Sequence, residues 1–128
     1  MNDNNYSMWA LKKPYYLNKK DKRYARHVKQ LKKYGFSDSE TWTLYSPIAQ
    51  FILPRLIRFK EVNVAFPGDL TFEKWNLIID EMIFAFDWTL NYEDDKYDNI
   101  TDKQIKENWE RCEKGMQLFS THFMSLWW

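Results

Sequence analysis

The sequence predicts an all-α chain, a compact bundle of about four helices with a basic helix at its N-terminal side. Three observations carry that prediction. Helix-start chemistry recurs at Ser37, Thr71 and Thr101, each followed by apolar residues at helical spacing. The last of these runs keeps an alternating four-and-three spacing through Ile105, Trp109, Cys112, Met116, Phe119, Phe123 and Leu126, which is a heptad seam. With only 3 Gly and 4 Pro in 128 residues, the chain lacks the turn residues that a sandwich or barrel of short strands needs. Its length suits one domain, 1–128, read here as a basic segment, 1–33, ahead of a helical core, 34–128.

The first helix lies in "NKKDKRYARHVKQLKKYGF", where Tyr24, Val28 and Leu31 form a narrow apolar stripe among Lys19, Lys20, Lys22, Arg23, Arg26, Lys29, Lys32 and Lys33. Gly35 is placed for a left-handed cap. Ser37 and Glu40 then form a capping box, and a second helix is expected from there to about Glu61, with Tyr45, Ile48, Ile52, Leu56 and Phe59 on one face and Leu44, Phe51 and Arg58 on another. Pro54 removes the bond to the Gln50 carbonyl, so a kink is expected there, with a break near Pro47. "NVAFPGD" is a turn, after which Thr71 caps a third helix, about Phe72 to Leu90, stapled by Leu70 and Trp75. That helix is apolar around most of its circumference: Ile79, Met82, Ile83 and Phe86 form one stripe, and Leu77, Phe84 and Trp88 another. Cover from several sides, including a second subunit, is therefore expected. The acidic stretch "NYEDDKYDN" reads as an exposed loop, and Thr101 with Gln104 boxes the start of the last helix, stapled by Ile100 and Ile105. On that helix's outer side Lys103 with Glu107, Lys106 with Glu110, Glu107 with Arg111 and Glu110 with Lys114 stand four apart, a solvated face.

A net charge of +1 conceals a division: residues 1–36 hold 10 Lys or Arg against 2 acidic residues, and residues 37–128 hold 9 against 16. Two opposite fields are joined in one chain, so the basic helix either meets phosphate or an acidic partner, or docks on the acidic body of its own fold. The N-terminus "MNDNNYSMWALKKPYY" has no signal-peptide core, and the longest apolar run, Met82 to Phe86, is far short of the ~20 residues that span a bilayer. One Cys excludes an internal disulfide and fits a reducing compartment. A cytosolic location without a membrane partner is expected.

Catalytic chemistry finds little support. Cys112 falls in the heptad seam and reads as a buried small hydrophobe rather than a nucleophile. His27, on a cationic helix that depresses its protonation, and His122 lack partners at metal or triad spacing; Glu-x-x-His pairs, Gly-rich phosphate loops and Ser elbows do not occur. The expectation is a binding protein, not an enzyme, without a cofactor or metal. Two surfaces are candidates. In "FILPRLIRFKE", Arg55 and Arg58 lie three apart with Phe51 a turn before and Lys60 after, a set suited to bidentate contacts with carboxylate or phosphate. The same arginines would equally pair with Asp80, Glu81 or Asp87 of the third helix. The second surface is the aromatic excess: 7 Trp, 8 Tyr and 9 Phe exceed one small core, so rings such as Trp42, Trp75, Trp88, Trp127 and Trp128 cannot all be interior. The candidate binding residues are Arg55, Arg58, Phe51, Lys60 and Trp42, with Arg23 and Arg26 on the basic helix. Surplus rings and the apolar third helix also point to a homo-dimer or higher homo-oligomer.

The strings "YGFSDSETWTLYSPIAQFILPRLIRFKEV", "FPGDLTFEKWNLIIDEMIFAFDW" and "GMQLFSTHFMSLWW" resemble a family of small uncharacterised helical proteins encoded by bacteriophages and prophages. The resemblance covers about residues 34–90 and 115–128; Pro54-Arg55-Leu56, Arg58-Phe59-Lys60, Leu70-Thr71 and Leu126-Trp127 are its most distinctive pieces. The family transfers a genomic setting rather than a mechanism. That setting implies action in the host cell cytoplasm as a counter-defence inhibitor that blocks a host defence protein or sequesters its nucleotide second messenger. The alternatives are a nucleic-acid-binding accessory protein using the basic helix, and a structural or assembly protein of the phage.

Overall fold

A computed structural model describes residues 19, 20 and 22–128. Readings that fall on residues 1–18, including the signal-peptide argument, lie outside the described residues. Every regular element among those described is helical: α1 (Tyr24–Tyr34), α2 (Tyr45–Val62), α3 (Phe72–Asn91) and α4 (Asp102–Thr121), with single 3-10 turns at Asp38–Thr41, Asp95–Tyr97 and Phe123–Ser125. The chain divides into two compact units, one ending at Phe51 and one spanning Ile52–Trp128.

In the first unit, α1 closes as its glycine requires. Gly35 takes φ 82° and its N–H bonds the Leu31 carbonyl at 2.9 Å. The Ser37 and Glu40 capping box forms, with the Ser37 N–H donating to Glu40 Oε2 at 2.7 Å, but it opens only the 3-10 turn Asp38–Thr41. The long helix starts seven residues later than the box implies. Pro47 explains the delay: in a helix begun at Ser37 it would sit ten residues in and forfeit a bond to the Thr43 carbonyl, whereas from Tyr45 it falls in the first turn. The break anticipated near Pro47 is thus a turn, Trp42–Leu44, and α2 then runs on through Pro54 to Val62.

The second unit is organised by α3 and α4, which pack antiparallel. Trp88 meets Trp109, Ala85 meets Cys112, Glu81 meets Gly115 and Trp75 meets His122, so the pairing descends one helix as it climbs the other. Trp75, Ile79, Met82, Ala85, Phe86 and Trp88 of α3 are buried, and Leu56 of α2 is buried as well. Thr71 caps α3 by accepting the Lys74 N–H at 3.2 Å. Thr101 and Gln104 box the start of α4 reciprocally, at 2.8 and 3.1 Å. Between α2 and α3, buried Asn63 makes its own turn: its amide donates to the Ala65 carbonyl at 2.6 Å and accepts the Ala65 N–H at 3.1 Å.

Burial refines the packing in three places. Leu77 is 64% exposed, so the chain alone does not cover α3 all round. On the α2 face of Tyr45, Ile48, Ile52, Leu56 and Phe59 only Leu56 is fully buried; Tyr45 and Ile48 are exposed, and burial in the first turns falls on Pro47 and Ala49. The α4 seam is interior only at its middle. Cys112 is buried and Met116 and Phe119 are half-buried, but Trp109 is 45% exposed and Phe123 lies beyond the helix end in its own 3-10 turn. The contact that decides how closely the helices approach is Gly115, buried against the Glu81 carbonyl.

Candidate functional site

The candidate site is built from the first unit. A helix with apolar residues at 24, 28 and 31 must point residues 26, 29 and 33 the opposite way, because 3.6 residues per turn brings these three onto one line. Tyr24, Val28 and Leu31 are half-buried, and Arg26, Lys29 and Lys33 are exposed along that line. Arg26 makes a long ion pair with Asp38, 3.8 Å between exposed groups, and Lys33 stands 5.2 Å from the Tyr34 ring centre. The 3-10 turn is tied alongside α1 by Gln30, whose amide donates to Asp38 Oδ2 and accepts the Asp38 N–H, both at 2.8 Å. That clamp places Trp42 directly after a fixed turn. Trp42 is 75% exposed, and Leu44, Tyr45 and Ile48 follow it, exposed, at the start of α2. Tyr34 and Phe36, stacked at 5.8 Å, are exposed on the α1 side of the turn. One short stretch of chain therefore presents cations, rings and aliphatic groups to solvent.

His27 lies on α1 facing the turn. Burial lowers its pKa, and the nearby Glu40 carboxylate partly opposes that effect. The sequence reading expected the lowering but assigned it to neighbouring cations; desolvation is the cause.

Most of the arginine surface read from "FILPRLIRFKE" goes to other work. Arg58 bonds Glu61 three residues on, 2.9 Å, on the exposed side of α2. It is Lys60, not Arg58, that crosses to α3 and pairs with Asp80 at 2.6 Å. Glu81 is held by Arg111 of α4 through two parallel bonds of 2.7 and 2.9 Å, and the same guanidinium lies 3.8 Å over the Phe84 ring. Arg111 was expected to pair with Glu107 along its own helix; the observed α4 pair is Lys103 with Glu107, 3.9 Å. Asp87 accepts from Lys96 at 2.6 Å, from Asn91 at 2.9 Å and from the Tyr97 hydroxyl. The carboxylates offered as partners for Arg58 are thus held by other side chains. Phe51 and Arg55 are half-buried, and Arg23 is exposed just ahead of α1, its carbonyl accepting the His27 N–H at 3.0 Å.

Of the candidate residues, Arg23, Arg26, Trp42 and Phe51 belong to the first unit and Arg55, Arg58 and Lys60 to the second. Sequence reasoning named Trp42 but missed the exposed set around it, because Tyr45 and Ile48 share a helix face with Leu56, which is buried. A usable signal existed: at 3.6 residues per turn the apolar residues 44, 45, 48 and 51 share one stripe of about 120° at the start of α2. Among the described residues no group of three or more His, Cys, Asp or Glu is arranged to hold a metal ion, and no helix is long and apolar enough to cross a membrane. No protein-family model, curated protein or solved structure matches the chain.

Proposed function

We propose that the chain is a non-enzymatic binding protein that occupies a protein partner through the α1 and Trp42 surface, and that in a phage setting the partner is a host defence effector in the cytoplasm. The observation that carries this reading is the exposed set Tyr34, Phe36, Trp42 and Tyr45 beside the cationic line Arg26, Lys29 and Lys33. Binding energy at protein interfaces concentrates in Trp, Tyr and Arg anchors, and cations at the rim steer an acidic partner and set its orientation. An aromatic anchor held on a clamped turn loses little freedom on binding, which favours affinity.

The test is Trp42→Ala combined with Tyr45→Ala, scored for protection of phage against a defended host and for helical circular dichroism. Loss of protection with unchanged helicity is expected, since both rings are already solvent-exposed. Full protection by the double variant would remove this surface from the function.

The cation line favours a second reading, nucleic-acid binding along α1. Three phosphate contacts would make log K fall against log salt with a slope of roughly −3. Binding to arbitrary DNA with that salt dependence, abolished by Lys29→Ala with Lys33→Ala but indifferent to Trp42→Ala, selects this alternative.

A further inference from the structure

The antiparallel pairing of α3 and α4 brings the start of one helix and the end of the other to the same place, and a concentration of exposed apolar side chains lies there. Trp75 in the first turn of α3 packs edge-on against His122, ring centres 5.4 Å apart. On the α3 side, Phe66 and Phe72 meet at 6.3 Å. On the α4 side, Phe119 and Phe123 meet at 5.5 Å, and the chain stays at this end through the 3-10 turn Phe123–Ser125 and a Trp127 N–H bond to the Ser125 carbonyl at 3.0 Å. Met124, Trp127 and Trp128 expose 66–84% of their surface, and Phe66, Phe72 and Phe123 expose 40–56%.

We infer that this end of the second unit is a homodimer interface, its occupant the same end of a second copy. The area fits. At ~150–250 Å² per large side chain the six residues leave roughly 550–900 Å² of apolar surface in water. A standard interface takes about 800 Å² from each partner, whereas the largest apolar patch on a typical monomer is about 300–600 Å².

The charge distribution selects a copy of the chain over other partners. A twofold interface sets the same patch of both copies together, so a patch of one net sign meets the same sign. The cationic α1 and the acidic 93–102 stretch would each repel their own copies. Residues 115–128 contain no Asp, Glu, Lys or Arg, so this end meets itself without that cost. Exposed Glu73 and Lys74 at the rim carry opposite signs and are suited to pairing across the axis. A bilayer surface is a poorer fit, since interfacial anchors combine rings with flanking Lys or Arg. Here the rim holds Asp69 and Glu73 against the single Lys74.

The experiment is sedimentation equilibrium of the full chain, wild type beside Met124→Glu and Trp42→Glu. Wild type is expected at twice the 15.8 kDa chain mass. Met124→Glu, which puts a carboxylate into the apolar contact on both copies, is expected to raise the dimer Kd about 30-fold or more, as loss of a hot-spot contact does, with helical dichroism unchanged. Trp42→Glu, in the other unit, is expected to stay dimeric. A wild-type particle of single-chain mass at high micromolar concentration overturns the proposal, whether or not that monomer floats with anionic vesicles. A dimer untouched by Met124→Glu, or dissociated by Trp42→Glu, overturns it as well. This inference does not rest on the proposed partner: a monomer that still protects phage refutes only the dimer, and a dimer whose Trp42 and Tyr45 are dispensable refutes only the partner surface.

Discussion

A methyl group at position 115 would stand 2.4 Å from the Glu81 carbonyl oxygen and 2.7 Å from the Ala85 side chain. Alanine at an exposed helical site gains about 1 kcal/mol over glycine, but overpacking a tight contact costs about 1–3 kcal/mol or more, and a backbone carbonyl cannot swing aside. Gly115→Ala is therefore expected to lower the melting temperature by several degrees; an equal or higher value would mean that α3 and α4 can separate freely. Arg58 is the contrasting residue. Its pair with Glu61 is exposed, so Arg58→Ala should change stability by less than ~1 kcal/mol, measured by denaturant titration. Asp87 and Tyr97 link stability to pH. Burial alone would raise the Asp87 carboxyl, but hydrogen bonds from Lys96, Tyr97 and Asn91 and the Lys96 charge outweigh it and leave its pKa below the ordinary value. The stability from this depressed group is present above the unfolded carboxylate range and is lost as pH falls below ~4. Tyr97 is pushed upward by burial and by Asp87, so its contribution is complete below pH ~10 and declines as pH rises further. Asp87→Asn is expected to flatten the acid limb of a plot of melting temperature against pH. An unchanged acid limb would mean that the network contributes nothing to stability.

Elements were legible wherever their ends are written in adjacent residues. Gly35, Thr71 and Thr101 with Gln104 each act on backbone groups a few positions away, and each does so as read. Ser37 shows the limit. Its box forms, yet the following Thr41, Trp42 and Thr43 have weak helical preference and Pro47 sets the true start, so a correct local motif overstated the helix. The α4 seam failed differently, since a heptad spacing says which residues share a stripe but not how far a partner helix extends along it. Trp88, buried with Tyr97 edge-on at 4.8 Å and Trp109 at 5.6 Å, anchors the contact from α3. Trp88→Ala should cost about 3–5 kcal/mol, and Trp109→Ala, with its ring partly in water, less. Equal losses in chemical denaturation would place the seam fully inside.

At the scale of the whole molecule, fold class was far more legible than site. Helical periodicity is a property of neighbouring residues, whereas the ion pairs Lys60 with Asp80 and Arg111 with Glu81 join positions 20 and 30 apart. Nothing local distinguishes Arg111 from Arg58. Aromatic excess pointed to rings outside the core without saying which: Trp75 and Trp88 are interior, and Trp42, Trp127 and Trp128 are not. The charge division leaves cations on α1 of the first unit and carboxylates concentrated after α3 in the second. The proposed partner surface and the proposed self-association surface consequently fall in different units.

The same partition of tryptophans makes the chain its own optical probe. Trp75 and Trp88 are out of reach of an aqueous quencher, while Trp42 in one unit and Trp127 and Trp128 in the other are open to it. Fluorescence quenched by acrylamide should resolve into a shielded and an accessible population. Dilution through the dimer range would enlarge the accessible population, and a captured partner would diminish it, so the two events carry opposite signs in one unlabelled measurement.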